Sequence, residues 1–209
     1  MKVIYCAGEL GRVVLDILRR QGVDNDVFFI DDDPELKGES VDGIEIIGGR
    51  SEFDSFDQNE TEIIIAFADR QKVRLELMSA VRQLDFDLFS IVDIDSTVAE
   101  TATIGDGVIL NAQSYIGPDA TLSDAVVIES AASISHDVTL KEGVTIGPNA
   151  TIAGGTTIGR DVFVGAGATV CDDISIGDKA VVGAGAVVIS SVPSETTVAG
   201  VPASPINDH

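Results

Sequence analysis

From Val92 to Val188 every sixth residue is a branched aliphatic, from Val92, Val98, Ile104 and Leu110 through Ile134, Ile146 and Ile158 to Val182 and Val188. There are 17 such positions in succession, with no insertion. An amphipathic helix repeats at about 3.6 residues and a plain strand at about 2, so neither accounts for this spacing. A short fixed period is the mark of a solenoid, in which each coil buries its apolar face against the next. Small or β-branched residues stand two places before many of the aliphatics, as at Ala120, Ala132, Ala150 and Ala168. Glycine often follows them, as at Gly105, Gly147 and Gly165. This is a hexapeptide pattern. Three hexads make one coil of roughly 18 residues in a left-handed parallel β-helix, so the segment supplies between five and six coils.

Composition limits the alternatives. Hydrophobic residues make up 44 % of the 209, there is no Trp, and aromatics are few, which suits a core filled by aliphatics. No run reaches the roughly 18 apolar residues of a membrane span. The opening Met-Lys-Val-Ile-Tyr-Cys reads as a strand and not as a signal peptide. Cys6 and Cys171 lie in different regions and suggest no disulfide framework. These features together read as cytoplasmic. Net charge is −22, from 35 acids against 13 bases, and the acids are spread along the whole chain. Diffuse acidity of this kind reads as adaptation to high intracellular salt. It argues against nucleic-acid binding, which needs a basic footprint. Any anionic substrate must be held by local donors against an unfavourable field.

The first 90 residues follow a different pattern. Residues 2–6 read as a buried strand, and Ala7-Gly8-Glu9-Leu10-Gly11 opens a helix with Val13, Val14, Ile17 and Leu18 on one face. Val27–Ile30 is a second strand, ending in the turn Asp31-Asp32-Asp33-Pro34. This is a βαβ unit with a Gly-rich first turn and acids about 20 residues later, the outline of a nucleotide-binding half. Cys6 stands where the first Gly of GxGxxG would be, and Glu9 puts a carboxylate where a pyrophosphate would approach. An acceptor pocket is therefore expected here in preference to a dinucleotide site, with a purely structural turn as the alternative. Ile44–Ile47 and Ile63–Ala68 are further strands, with a polar helix and loop over Glu52–Asn59. A helix from Arg70 to Leu84, capped by Asp69, turns Val73, Leu77, Ala80 and Leu84 inward. Arg70 and Arg74 are then either solvated or one of them meets an anionic ligand. The expected organisation is a Rossmann-like α/β domain over 1–90, the β-helix over 91–192 and a tail over 193–209.

A small Rossmann-like domain, hexapeptide coils and the tail Val198-Ala-Gly-Val-Pro-Ala203 together resemble the NeuD/PglD-like sugar acetyltransferases. The resemblance covers nearly the whole chain. It is carried by Ala-Gly-x-x-Gly at 7–11, Asp31-Asp32-Asp33-Pro34, Ser135-His136-Asp137, Ala153-Gly154-Gly155 and the Ala-Gly-Val-Pro-Ala tail. It implies a homotrimer that uses acetyl-CoA, bound in grooves between neighbouring β-helices, with a sugar or nucleotide-sugar acceptor held by the N-terminal domain. Transferred by position, Gly8, Glu9, Leu10, Asp31, Asp32 and Ala68 fall on the acceptor site. His136 falls on the general base and Asp137 on its carboxylate partner. Thr145, Gly154, Ala166 and Ala184 fall on the acetyl-CoA groove. The chain departs from the family pattern where Leu10 and Thr145 replace His, where Ala68 replaces Gly, and where Glu129-Ser130 replaces Asn-Thr.

The implied activity is acetyl transfer from acetyl-CoA to an amino or hydroxyl group of a sugar or nucleotide-sugar. The alternative is a non-catalytic β-helix binding or scaffold protein derived from such an enzyme. A zinc carbonic anhydrase on this fold needs three His ligands per site, and the chain has only His136 and His209. No metal site is expected. A nucleotidyltransferase would need a long N-terminal domain with a basic phosphate loop.

Overall fold

The computed structural model describes residues 1–67 and 71–206, with the side chains of residues 71 and 72 left undescribed. The chain divides into two compact units, Met1–Ile91 and Val92–His209.

The first unit is an α/β layer. Its strands are β1 (Lys2–Tyr5), β2 (Val27–Ile30), β3 (Ser40–Val41), β4 (Ile44–Glu45), β5 (Glu62–Ile65) and β6 (Asp87–Leu88). The main sheet is parallel in the order β2-β1-β5-β6, while β3 and β4 form a separate hairpin. Val3, Ile4, Ile63 and Ile64 are fully buried, as expected for a parallel sheet with an apolar run in each central strand. Helix α1 (Glu9–Gln21) buries Leu10, Val14, Leu15, Ile17 and Leu18, and Gly22 in the left-handed conformation ends it. Val13, expected on the inner face, is exposed. The polar segment after β4 contains a 3-10 helix at Arg50–Ser55.

Helix α2 (Gln71–Gln83) differs from the sequence expectation in which face it buries. Arg74, Met78 and Val81 are the buried residues, and Leu84 is 41 % exposed. A charged residue is normally placed outward by pattern. Arg74 lies inside because its guanidinium has acceptors there, among them the Phe67 carbonyl at 3.0 Å, which offsets part of the cost of removing the charge from water. The solvated reading does not describe Arg74, a side chain with no exposed surface, while Asp69 and Arg70 fall outside the described residues.

The second unit is the left-handed β-helix. Ile109 pairs with Val127, Val127 with Thr145, Thr145 with Phe163 and Phe163 with Val181, so successive coils stack in strict register. The hexad aliphatics from Leu110 onward point inward and are essentially fully buried. Val92, Val98 and Ile104, in the first coil at the edge of all three sheets, are only partly buried. Corner residues take the left-handed conformation. Asp119, Asp137, Gly155 and Asp173, one coil apart, have φ between 57° and 67°. Asp is tolerated there because its short side chain can hydrogen-bond locally. After Val188 the register changes, Val181 pairing with Thr197, and an antiparallel pair of Val198–Ala199 with Ser204–Pro205 closes the solenoid.

Candidate active site

Two groups of candidate residues come together, one in each unit. In the first unit, the ends of β1 and β2 and the start of α1 surround a cavity of about 520 Å³. Its apolar part is Leu10, Ala66, Phe67, Val73 and Leu77, and its polar part includes Tyr5, Glu9, Asp31, Asp32 and Arg50. The tight turn after β1 exists despite the missing glycine. Cys6 has φ +88°, a conformation that favours Gly, so the turn carries backbone strain. Gly11 supplies the close approach. A Cβ there would lie 2.4 Å from the Cys6 carbonyl oxygen, so only Gly lets α1 pack this near the turn.

The two acids after β2 hold this loop together. Asp31 accepts from the Ala7 N–H at 2.8 Å and the Asp33 N–H at 3.0 Å. Asp32 accepts from the Tyr5 hydroxyl at 2.7 Å, the Arg50 backbone N–H at 3.0 Å and the Arg50 Nε at 2.9 Å, and Arg50 Nη2 also donates to it. Burial alone would raise the Asp32 pKa, but the hydrogen bonds from Arg50 and Tyr5 outweigh it and hold the carboxyl at about 2. Burial, with Asp31 and Asp32 nearby, pushes the Cys6 thiol up to about 12. Burial and the bond to Asp32 likewise raise Tyr5. Tyr5 and Arg50 were not singled out in the sequence. The Gly48-Gly49 pair directly after a short strand was the available signal, because it lets the backbone at Arg50 close onto Asp32. Gly8, Glu9, Leu10, Asp31 and Asp32 all lie at this cavity. Ala68 falls outside the described residues.

In the second unit, His136 and Asp137 form a corner between two flanks of the solenoid. His136 Nδ1 is 2.8 Å from Asp137 Oδ2, and the side chains are 65 % and 64 % exposed in a single chain. With Nδ1–H donated to the carboxylate, Nε2 is left as the acceptor. The ring lies on Gly154 of the next coil. A Cβ there would stand 2.7 Å from the ring Cε1 and 2.8 Å from Nε2. The Gly154 N–H donates to Asp172 at 3.1 Å. The same device, an Asp accepting from the N–H one coil earlier, joins Asp106 to Asp124 and Arg160 to Asp178. A cavity of about 600 Å³ is lined by His136, Asp137, Gly154, Gly155, Asp172 and Asp173.

The remaining groove residues lie elsewhere on the coils. Ala166 and Ala184 are exposed and stacked one coil apart at a different corner. Thr145 is buried on the flank leading into that corner. No group of His, Cys, Asp or Glu among the described residues is placed to hold a metal ion. Among those residues no helix is long and apolar enough to cross a membrane.

Residues 3–81 match the family model described as PglD N-terminal domain, and residues 155–190 match bacterial transferase hexapeptide (six repeats). No curated protein sequence matches the chain. Among solved structures, the acetyltransferase domain of PglB from Neisseria gonorrhoeae, in complex with acetyl coenzyme A, is 31 % identical, covers 98 % of both chains and superposes with a TM-score of 0.93. PerB from Caulobacter crescentus, in complex with CoA and GDP-perosamine, is 28 % identical over 99 % of this chain and 97 % of its own, with a TM-score of 0.92. WeeI from Acinetobacter baumannii is 25 % identical over 99 % of both chains, with a TM-score of 0.90. An N-terminal α/β unit of the PglD kind and a hexapeptide β-helix coincide in one chain that is 31 % identical to the PglB acetyltransferase domain over nearly its whole length, and the chain belongs to the NeuD/PglD-like family of sugar acetyltransferases.

Proposed function

We propose that this chain transfers the acetyl group of acetyl-CoA to an amino or hydroxyl group of a sugar or nucleotide-sugar, with His136 as general base. The observation that carries the reading is the 2.8 Å contact between His136 Nδ1 and Asp137, which leaves Nε2 free at an open cavity. In the reaction the acceptor nitrogen or oxygen attacks the thioester carbonyl carbon. Its proton passes to His136 Nε2, and the C–S bond breaks to release CoA as the thiolate, which takes the proton back. Asp137 fixes the tautomer and stabilises the imidazolium during transfer.

Acetyl-CoA binds along the solenoid in this reading, with Gly154 beside the base and Thr145, Ala166 and Ala184 along the groove. The acceptor is held in the cavity of the first unit by Gly8, Glu9, Leu10, Asp31 and Asp32. Support for a nucleotide-sugar comes from PerB, whose complex contains GDP-perosamine, and from His variants of that enzyme solved with the same ligand and CoA. The enzyme acts as a homotrimer, which would cover a base that is 65 % exposed in one chain. It works in the cytoplasm, where acetyl-CoA is available, and at high salt. The test is to incubate the purified chain with acetyl-CoA and a panel of nucleotide-amino-sugars and free sugars, following thiol release and product mass. Acceptor-dependent thiol release with an acetylated product is expected. No acceptor-dependent release with any member of the panel would leave the scaffold reading in its place.

A further inference from the structure

The geometry points to Arg50 as the residue that selects a phosphorylated acceptor, by turning a guanidinium edge toward the anionic part of a nucleotide whose base lies in the apolar cavity. This deepens the functional reading above and rests on its placing of the acceptor in this cavity. The donors and acceptors around the cavity narrow the choice. Every oxygen of Asp31 and Asp32 already accepts a hydrogen bond from the protein. The Tyr5 proton is donated to Asp32. Glu9 is an exposed carboxylate and repels an anion. Among the described residues lining the cavity Arg50 is the one base.

Arg50 is also held in place before any ligand arrives. Its Nε and Nη2 donate to Asp32 Oδ2, and its backbone N–H donates to Oδ1 at 3.0 Å. The preceding residue fixes the backbone, since a Cβ on Gly49 would lie 2.9 Å from Asp32 Oδ1 and 3.0 Å from the Asp31 carbonyl oxygen. None of these bonds to Asp32 uses Nη1, and the side chain is 63 % exposed. A planar guanidinium with one edge braced by a carboxylate loses little freedom when its other edge binds an oxyanion. Phosphate matches that edge in charge and geometry. The rest of the cavity suits a nucleobase. Leu10, Ala66, Phe67, Val73 and Leu77 form an apolar lining, and about 520 Å³ lies within the usual range of about 300–1,000 Å³ for small-molecule sites. An anionic acceptor faces a chain of net charge −22, so a positioned cation at the mouth decides whether it can stay.

The competing role for Arg50 is only to neutralise Asp32, and a paired substitution separates the two. Calorimetric titration of the intact chain with GDP, UDP, guanosine and uridine measures the preference for a diphosphate over its nucleoside. The unmodified chain should bind at least one diphosphate about tenfold or more tighter than the matching nucleoside, as expected for a charge-assisted contact. Arg50→Ala should bring the pair to near equality, and the double variant Asp32→Asn/Arg50→Ala should remain there. If Arg50→Ala unfolds, Arg50→Gln carries the same measurement. The proposal is overturned if the single variant keeps the preference, if the double variant regains it, or if the unmodified chain shows none. The titration contains no acetyl-CoA, so its result is independent of whether acetyl transfer is observed.

Discussion

His136 has its ring against Gly154 on one side and the Asp137 carboxylate on the other, and its side chain is largely exposed in a single chain. In the proposed mechanism it acts as a base through Nε2, and positioned general-base catalysis is worth about 10²–10⁴-fold. His136→Ala should lower kcat by that order in steady-state assays while affinity for acetyl-CoA, measured by calorimetry, changes little. Asp137→Ala should cost less, because the base survives and loses only its orientation. Near-normal turnover of His136→Ala with its best acceptor would refute the mechanism. Asp32 makes a separate prediction for stability. An ordinary Asp titrates near 3.9, and in the fold this one is held at about 2. A carboxyl lowered on folding stabilises the native state above the unfolded value and loses that contribution as pH falls from about 4 to about 2. Acid also relieves the repulsion among the other carboxylates, so the effect must be read as a difference. Chemical denaturation between these pH values should show the gap between the unmodified chain and Asp32→Asn closing as pH falls; a constant gap would mean that the pairing contributes nothing. Cys6, pushed up to about 12, should resist iodoacetamide near pH 8 in the native state and react once unfolded. Peptide mass spectrometry reads the difference.

At the scale of the coil, two glycines at different hexad positions differ in consequence. A Cβ on Gly165 would lie 2.5 Å from the Ala184 backbone nitrogen, so a methyl there forces two coils apart. A Cβ on Gly154 meets only the His136 ring, the far end of a side chain that can swing away. Gly165→Ala should therefore cost about 1–3 kcal/mol, as overpacking does, and lower the melting temperature by several degrees. Gly154→Ala should leave the melt nearly unchanged and reduce turnover by displacing the base. Equal melting temperatures for the two variants would contradict this division. The solenoid was legible because its coils repeat one environment, so each inward aliphatic confirms the others. His136 and Asp137 were legible through the family resemblance together with their corner position in the hexad count. The first unit was harder to read, because pattern alone places Arg outward and Val13 inward. Arg74 is buried on the strength of acceptors such as the Phe67 carbonyl, supplied by chain folding and invisible in the helix sequence. Arg50 likewise reaches Asp32 only because the Gly48-Gly49 backbone closes across the end of β2. Contacts between distant segments set these side chains, and no local period encodes them.

For the whole molecule, charge and assembly are coupled. Part of the acidity is structural. Asp124, Asp172 and Asp178 each accept a backbone N–H from the coil before, and Asp137 and Asp173 occupy left-handed corners. These acids cannot be traded for bases without losing turn chemistry, yet with 35 acids against 13 bases they leave the chain at −22. Bringing three such chains together concentrates like charge further, so association must work against a field that only counterions can screen. The Debye length is about 10 Å at 0.1 M salt and about 3 Å near 1 M. At the longer length, in low salt, repulsion acts across a whole subunit contact; at the shorter, in high salt, it is confined to adjacent side chains. The solenoid core, filled with Val, Ile and Leu from Leu110 to Val188, does not depend on screening in the same way. Salt should therefore act first on assembly and then on the fold. Light scattering near 1 M KCl should report a trimer. Lowering the salt should release monomers before circular dichroism shows loss of β-structure, and the melting temperature should climb steeply with KCl. A monodisperse monomer at high salt would exclude the trimer. A melting temperature that stays flat from low to molar KCl would exclude adaptation to a saline interior, and the excess of acids would then reflect turn chemistry alone.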